Sequence, residues 1–286
     1  MLTQDEIERR RHFLTATDVP QILGKSPWGN ASDVYLNKVH RRQFTGNAAT
    51  EAGTLLEPAV VAWAHQKLGG VVEGDWRVHE NGINACSLDA MTLDGEPVEA
   101  KTSGIVGPGS PHQWGEPGTD EIPDYYLLQV HAQLLVTGAR RAFVPALIGG
   151  RGFVMYVVRA HQGLEDQIQR ASEQFWTEHV EARIQPDKTP KLETLKQLRR
   201  EPESVVSIPD GPVELYLAAK AEEKAAVAKA EAAQAELLAS LGAAEAGDYS
   251  GGRVWYSEQT RKGYQVQEST YRVLRVKAAK KAKVTA

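Results

Sequence analysis

The apolar residues of this chain change their period at Val71, and the change separates helical stretches from strand-forming ones. Before it, Leu55, Leu56, Ala59, Val60 and Trp63 recur at helical spacing over about 50–68, and Gly69-Gly70 ends the run. Two shorter helices come first. In TATDVPQILG, Thr15 or Thr17 offers an N-cap, Pro20 sits early and Gly24 closes the segment. In SPWGNASDVYLNKVH, Asn30 or Ser32 caps the start. After Val71, VVEGDWRVHE and INACSLD alternate like strands around Asn81-Gly82, a strong hairpin signal. The turn Leu93-Asp94-Gly95 leads into a short strand over 97–101, whose alternation puts Glu99 and Lys101 on one face and Val98 and Ala100 on the other. A Gly- and Pro-rich loop of roughly 20 residues follows, a length uncommon outside functional loops. Leu127, Val130, Leu134 and Leu135 then mark a helix over 123–138. RRAFVPALIGG and GFVMYVVRA read as two strands joined at Gly149-Gly150, and a helix covers 161–184.

This order predicts an α/β fold, a mixed central sheet flanked by helices. Five prolines between Pro186 and Pro212 interrupt any regular pattern. The expected division is a core over 1–186, a linker or wrapping segment over 187–212, and a C-terminal region over 213–286. That region reads as one long Ala-rich helix with a thin apolar stripe (Leu217, Val227, Leu237, Leu238, Leu241), then a small β-hairpin from GRVWYSEQT and YRVLRVK, then a basic tail.

Composition narrows the chemistry. At 286 residues and 42% hydrophobic content there is ample material for a core. The single cysteine, Cys86, excludes an internal disulfide or a four-cysteine metal cluster and reads as a small buried strand residue. Eight histidines show no H-E-x-x-H spacing. No apolar leader opens the chain and no run approaches about 18 apolar residues, so a soluble, cytoplasmic protein is expected. The net charge of −4 argues against a passive coater of nucleic acid but leaves room for a local basic groove. From Arg253 onward nine basic residues face only Glu258 and Glu268, so the tail is near +7 and the rest near −11. Trp28, Trp63, Trp114 and Trp176 are expected as core or edge aromatics.

The candidate chemistry lies in SLDAMTLDGEPVEAKT. Asp89 and Glu99 end two strands separated by a hairpin-sized turn, so their carboxylates can converge. Such a pair is costly to hold without a cation, and hard oxygen ligands favour Mg²⁺ or Mn²⁺. Lys101, on the face of Glu99, could orient a water or stabilise charge on a phosphate oxygen. Taken alone, an acid and an ExK strand are more often plain surface charges, and Asp94 competes with Asp89 for the first position, although Asp is also a good turn residue.

Neighbouring segments give the pattern context. Arg10 precedes Leu14-Thr15-Ala16-Thr17; Ile22-Leu23-Gly24-Lys25-Ser26-Pro27-Trp28 follows; Gly53-Thr54-Leu55-Leu56-Glu57-Pro58 lies on the long helix; Tyr126-Leu127-Leu128-Gln129-Val130-His131-Ala132-Gln133 lies on the later one. In this order the segments resemble the PD-(D/E)xK nucleases, and within them the group of lambda exonuclease and the YqaJ-like viral recombinases. One departure is the absence of the proline usual before the first acid, replaced here by Ser87-Leu88-Asp89. The resemblance implies a restriction-endonuclease-like core and a Mg²⁺-dependent deoxyribonuclease, with Mn²⁺ as a substitute ion. It implies that Asp89 and Glu99 are the main metal ligands, joined by the Ala100 carbonyl, with Glu57 at a second metal position. It further implies that Lys101 assists the attacking water, that Gln129 steadies the active-site end of its helix, and that Arg10 and Thr17 bind phosphate. The expected activity is 5′-to-3′ digestion of double-stranded DNA ends in phage recombination, beside a single-strand annealing protein, with ring-shaped trimers as the family's assembly. A structure-specific endonuclease or nickase on the same core, and a non-cutting DNA-binding or assembly protein, are the alternatives.

Overall fold

The computed structural model describes residues 3–40, 48–104, 113–198 and 203–260, with 268, 274 and 276, and the chain falls into two compact units, Met1–Arg200 and Glu201–Ala286.

In the first unit, α1 (Gln4–Arg10) opens with a capping box between Thr3 and Glu6. The short strand β1 (Leu14–Thr15) leads into a single helical turn, α2 (Val19–Ile22). Its N-cap position is Asp18, neither Thr15 nor Thr17. The Asp18 carboxylate turns back and accepts from the Thr15 amide (2.8 Å) and hydroxyl (2.7 Å) instead of capping forward. Next, α3 (Ala31–Val39) is capped by Asn30, whose side chain and Asp33 form a second capping box. The long helix α4 (Ala48–Leu68) carries Pro58 in its interior, which removes one helical hydrogen bond beside Glu57.

Six strand segments follow: β2 (Val71–Glu73), β3 (Trp76–Val78), β4 (Asn84–Ser87), β5 (Ala90–Thr92), β6 (Pro97–Val98) and β7 (Lys101–Ser103). After them come α5 (Asp124–Thr137), the hairpin β8 (Arg141–Ile148) and β9 (Gly152–Arg159), α6 (Gln162–Phe175), a π-helical continuation over Trp176–Glu181, and α7 (Leu192–Gln197). The hairpin around Asn81-Gly82 does not stay in one sheet. Its tip, β3 and β4, pairs with β1, whereas its base, β2 and β5, joins the main sheet. The two halves part at Gly74, where a Cβ would lie 2.0 Å from the Leu88 carbonyl oxygen. Only glycine admits that close crossing, and the crossing sets Asp89 at the point where the chain changes sheet.

The main sheet is mixed. Strands β2 and β5, and β5 and β6, pair antiparallel, β6 and β7 both lie parallel to β8, and β8 pairs antiparallel with β9. Alternation along β8 gives the sheet two apolar faces. Ala142, Val144, Ala146 and Ile148 pack with Val130 and Leu134 of α5, while Phe143 packs with Ala64 of α4, Ala90 and Val98. The sheet thus lies between two helices, each of which carries expected site residues.

The first unit continues beyond 186. Ser32 Oγ donates to the Pro186 carbonyl (2.9 Å), Asn30 Nδ2 to Thr189 (3.0 Å), and the Lys191 amide to Asp33 (2.8 Å), so this segment is strapped to the start of α3. Of the Gly/Pro-rich loop, the described end is well fixed. Trp114 is buried, and Arg151 donates to the Trp114 and Gly115 carbonyls.

The second unit contains α8 (Asp210–Leu241), 32 residues long with none buried, and a hairpin of β10 (Ala246–Tyr249) and β11 (Gly252–Trp255). The strand GRVW therefore pairs with the residues before it. The expected partner YRVLRVK and the basic tail lie outside the described residues, apart from isolated positions. Among the described residues, no helix is long and apolar enough to cross a membrane.

Candidate active site

Two neighbouring strands and one helix build the site. The pairing of Ala90 with Val98 and Met91 with Pro97 sets Asp89 opposite Glu99 one step further along. At that step the strand expected over 97–101 is interrupted, since Glu99 and Ala100 separate β6 from β7. The Glu99 amide still donates to the Phe143 carbonyl (2.9 Å), so the strand keeps its register against β8. The Ala100 amide instead donates to Asp89 Oδ2 (2.9 Å). A side chain has replaced a ladder partner, and this bond fixes the Asp89 carboxylate beside the ExK segment.

Glu99 is buried and fully engaged. Its Oε1 accepts from Lys101 Nζ (2.5 Å) and Gln129 Nε2 (2.5 Å), and its Oε2 accepts from Gln133 Nε2 (2.5 Å). Lys101 Nζ also donates to Gln129 Oε1 (3.1 Å) and sits 4.7 Å from the Tyr126 ring centroid. Tyr126, Gln129 and Gln133 come from one face of α5 through its period of about 3.6 residues. Gly53, Glu57 and Val60 of α4 join Ala100, Lys101, Thr102 and Tyr126 around a small pocket of about 130 Å³.

Electrostatically the cluster holds more negative charge than its one ammonium balances. Burial raises the Asp89 pKa well above the ordinary carboxylate value, and the charge of Glu99 raises it further against the opposing pull of Lys101. Glu57 is raised for the same two reasons, burial and then Glu99. For Lys101, burial alone would lower the pKa, but Glu99, Tyr126 and Asp89 outweigh it and hold the amine above its usual value. Lys101 is therefore a fixed cation at neutral pH. Cys86, buried on β4, is pushed up to about 12 by burial and by Glu99, which leaves an inert thiol.

Asp89, Glu99, Lys101 and Gln129 thus come together, and Glu57 faces them from α4 across the pocket. Asp94 is exposed in the turn closed by the Gly95 amide and the Thr92 carbonyl. Arg10 and Thr17 meet each other (Nη2 to Oγ1, 3.2 Å), and Thr17 contacts Thr15 (3.0 Å) on the Asp18 network, not on the carboxylate cluster. Two residues carry more of the site than the sequence indicated. Gln133 and Tyr126 stand within the quoted helical motif but had no assigned role; their spacing from Gln129 places them on its face. Gln133 Oε1 is buried with no hydrogen-bond partner, an uncommon state for an amide.

The donor chemistry suits a hard divalent cation. Mg²⁺ commonly takes one or two carboxylates and completes its shell with water and phosphate oxygens. Among the described residues, no three carboxylate, imidazole or thiol side chains are gathered at ligand spacing. The set on offer is Asp89 and Glu99 with the intervening backbone, and Glu57 on the facing helix.

Residues 7–140 match the family model of the YqaJ-like viral recombinase domain, a stretch that includes every residue of this site. The uncharacterized protein YqaJ of Bacillus subtilis (strain 168) is 28% identical over 189 residues, covering 63% of this chain and 57% of that protein. The crystal structure of LHK-Exo in complex with dAMP superposes with a TM-score of 0.51 at 20% identity, covering 64% of this chain and 94% of the other. A second structure of LHK-Exo, described as an alkaline exonuclease from Laribacter hongkongensis, gives 0.49 at 20% identity with the same coverage. The first superposition shows the fold, a restriction-endonuclease-like core.

Proposed function

We propose that this chain, which carries a YqaJ-like viral recombinase domain over residues 7–140, is a metal-dependent deoxyribonuclease that digests DNA from duplex ends during phage recombination. The observation that carries this reading is the meeting of Asp89, Glu99 and Lys101 around Ala100, with Glu57 across a pocket the size of a phosphate and a few waters. Burial first, and then the charge of Glu99, raises Asp89 and Glu57, and a divalent ion would relieve both by stabilising the ionised carboxylates. Asp89 and Glu99 would hold it, with the Ala100 carbonyl as a third oxygen and Glu57 at a second position. A bound Mg²⁺ or Mn²⁺ supplies Lewis-acid stabilisation of charge on the scissile phosphate.

The remaining work belongs to the protein's own groups. Lys101, hydrogen-bonded to Glu99 and Gln129, orients the attacking water and stabilises negative charge on a phosphoryl oxygen. Gln129 and Gln133 clamp Glu99 from both oxygens and keep it from turning away as charge develops. Tyr126 covers Lys101 and limits water access to it. Arg10 and Thr17 offer a cation and a hydroxyl to a phosphate away from the cleavage point. LHK-Exo, described as an exonuclease, supports the choice of ends over internal cleavage.

The test is incubation of the full chain with 5′-labelled and 3′-labelled linear duplexes and a closed circle, with and without Mg²⁺. Mononucleotides released from the 5′ strand only with Mg²⁺, and an intact circle, are expected. A nicked circle turns the reading to an endonuclease, and binding without digestion turns it to a non-cutting assembly protein. Copurification with a single-strand annealing protein and a trimeric mass by light scattering test the partner and the ring.

A further inference from the structure

One aromatic side chain near the site is neither buried nor used by the chemistry above. Trp28 is 61% exposed, on the turn between α2 and α3. Its ring contacts Tyr125 (centroids 4.5 Å apart, planes at 78°) and Tyr126 (5.8 Å). Tyr126 is the ring beside Lys101 and part of the pocket wall. A chain of aromatic contacts therefore runs from the catalytic amine to an open indole.

The turn that presents Trp28 is held rigidly and is cationic. The Trp28 amide donates to Ser26 Oγ (3.1 Å), and Lys191 Nζ donates to the Pro27 carbonyl (2.5 Å). Lys188 Nζ lies 3.6 Å from the Cβ position of Gly24, and Lys25 is exposed on the same turn. The strap over 186–191 thus braces the turn and adds charge to it. An exposed indole on a turn that carries ammonium groups is the kind of arrangement that holds single-stranded nucleic acid, with bases on the ring and phosphates on the cations. A base within a duplex has both faces covered by its neighbours, so an open indole selects an unpaired one.

We propose that Trp28 is a stacking platform for an unpaired nucleobase at the DNA end entering the site, with Lys25 and Lys188 neutralising the adjoining phosphates. The proposal rests on the nuclease reading for its substrate and extends it to a preference for frayed or single-stranded ends.

The test uses the full chain with Lys101→Ala, which binds DNA without digesting it. It is titrated with a duplex whose short single-stranded end carries 2-aminopurine, and with a flush-ended duplex. Binding is expected to quench the fluorophore. Adding Trp28→Ala abolishes the quench and weakens binding of the unpaired end by about 10-fold, with a smaller change for the flush end. Trp28→Tyr restores most of both. Replacing Lys25 and Lys188 together by alanine lowers the slope of log affinity against log salt by about 1.4. Melting followed by circular dichroism is read on each variant, and Trp28→Tyr, which keeps a ring against Tyr125 and Tyr126, separates loss of the stacking surface from loss of packing. Equal affinity and quench with Trp28→Ala, or equal losses for both kinds of end, overturns the proposal. Digestion by the unsubstituted chain is read separately. A Trp28-dependent quench without digestion removes the nuclease reading alone. Digestion without a Trp28-dependent quench removes the platform alone, and no DNA binding removes both.

Discussion

Among the described residues of the first unit are two buried lysine–carboxylate pairs, and they differ in how their surroundings balance the charge. Lys38 Nζ meets Asp18 Oδ2 at 2.6 Å, with side chains 3% and 9% exposed, and Lys101 Nζ meets Glu99 Oε1 at 2.5 Å, with 13% and 5%. Around Asp18 the charges balance. Burial alone would raise its pKa, but the Lys38 ammonium and hydrogen bonds from Lys38 and Thr15 overcome this and hold it below the usual value. Around Lys101 they do not balance, since Asp89 and Glu57 share the same cation with Glu99 and both are pushed up. The Asp18 pair ties β1, α2 and α3 together, with Lys38 also donating to the Arg10 carbonyl (2.9 Å). The Lys101 cluster keeps its charge in surplus beside a pocket. Distance and burial do not separate the two pairs; the count of neighbouring carboxylates does.

The contrast can be broken from either side. The largest expected effect is on activity. Lys101→Ala lowers kcat on linear duplex by about 10³-fold, equivalent to about 4 kcal/mol in the barrier, a loss larger than the fall in melting temperature that follows from leaving the buried Glu99 carboxylate without its cation. A gel assay and a thermal melt on the same sample read both quantities. Lys38→Ala acts the other way. It leaves the buried Asp18 charge without its cation and costs about 3 kcal/mol of folding stability, measured as a lower urea midpoint, with activity retained wherever the chain is folded. Asp89→Asn sharpens the comparison further. The amide oxygen still accepts from Ala100, the repulsion with Glu99 is relieved, and stability rises by about 1 kcal/mol while digestion is lost. The smallest effect is a pH dependence. The folded pKa of Asp18 lies below its unfolded value, so the unfolded chain binds the extra proton and the pair's contribution is present at neutral pH. It is lost as pH falls below about 4 through the folded pKa. Urea melts of the parent and Asp18→Asn at a series of pH values should converge in that range and remain parallel above it.

Much of the candidate site could be read from residue spacing. The ten-residue interval between Asp89 and Glu99 places them opposite each other because a two-stranded antiparallel ladder has fixed register, and the structure has that register. Alternation puts Glu99 and Lys101 on one side, and their side chains meet there. Other features depended on contacts distant in sequence. VVEGDWRVHE divides at Gly74 because the Leu88 carbonyl crosses it, and no local signal in either segment announces the other. Thr15 and Thr17 are good capping residues, but Asp18 takes the N-cap position once Lys38, 20 residues later, neutralises it. The strand over 97–101 is interrupted because the Ala100 amide bonds to a carboxylate instead of a neighbouring strand. In the second unit, GRVW pairs with AGDY across Ser250-Gly251, a short-range choice that stronger β-propensity further along had obscured.

By itself the amino-acid order determined which segments are helices and strands, which acids could oppose each other and where the lysine points, because backbone periods and ladder register are local geometry. Only the tertiary structure decided how charged that place is. Burial by α4 and α5 turns three scattered carboxylates and one amine into a cluster with surplus negative charge, while an almost identical pair nearby is neutralised. That difference lies in which groups share a low-dielectric volume, and sharing a volume is a property of packing, which sequence separation does not record.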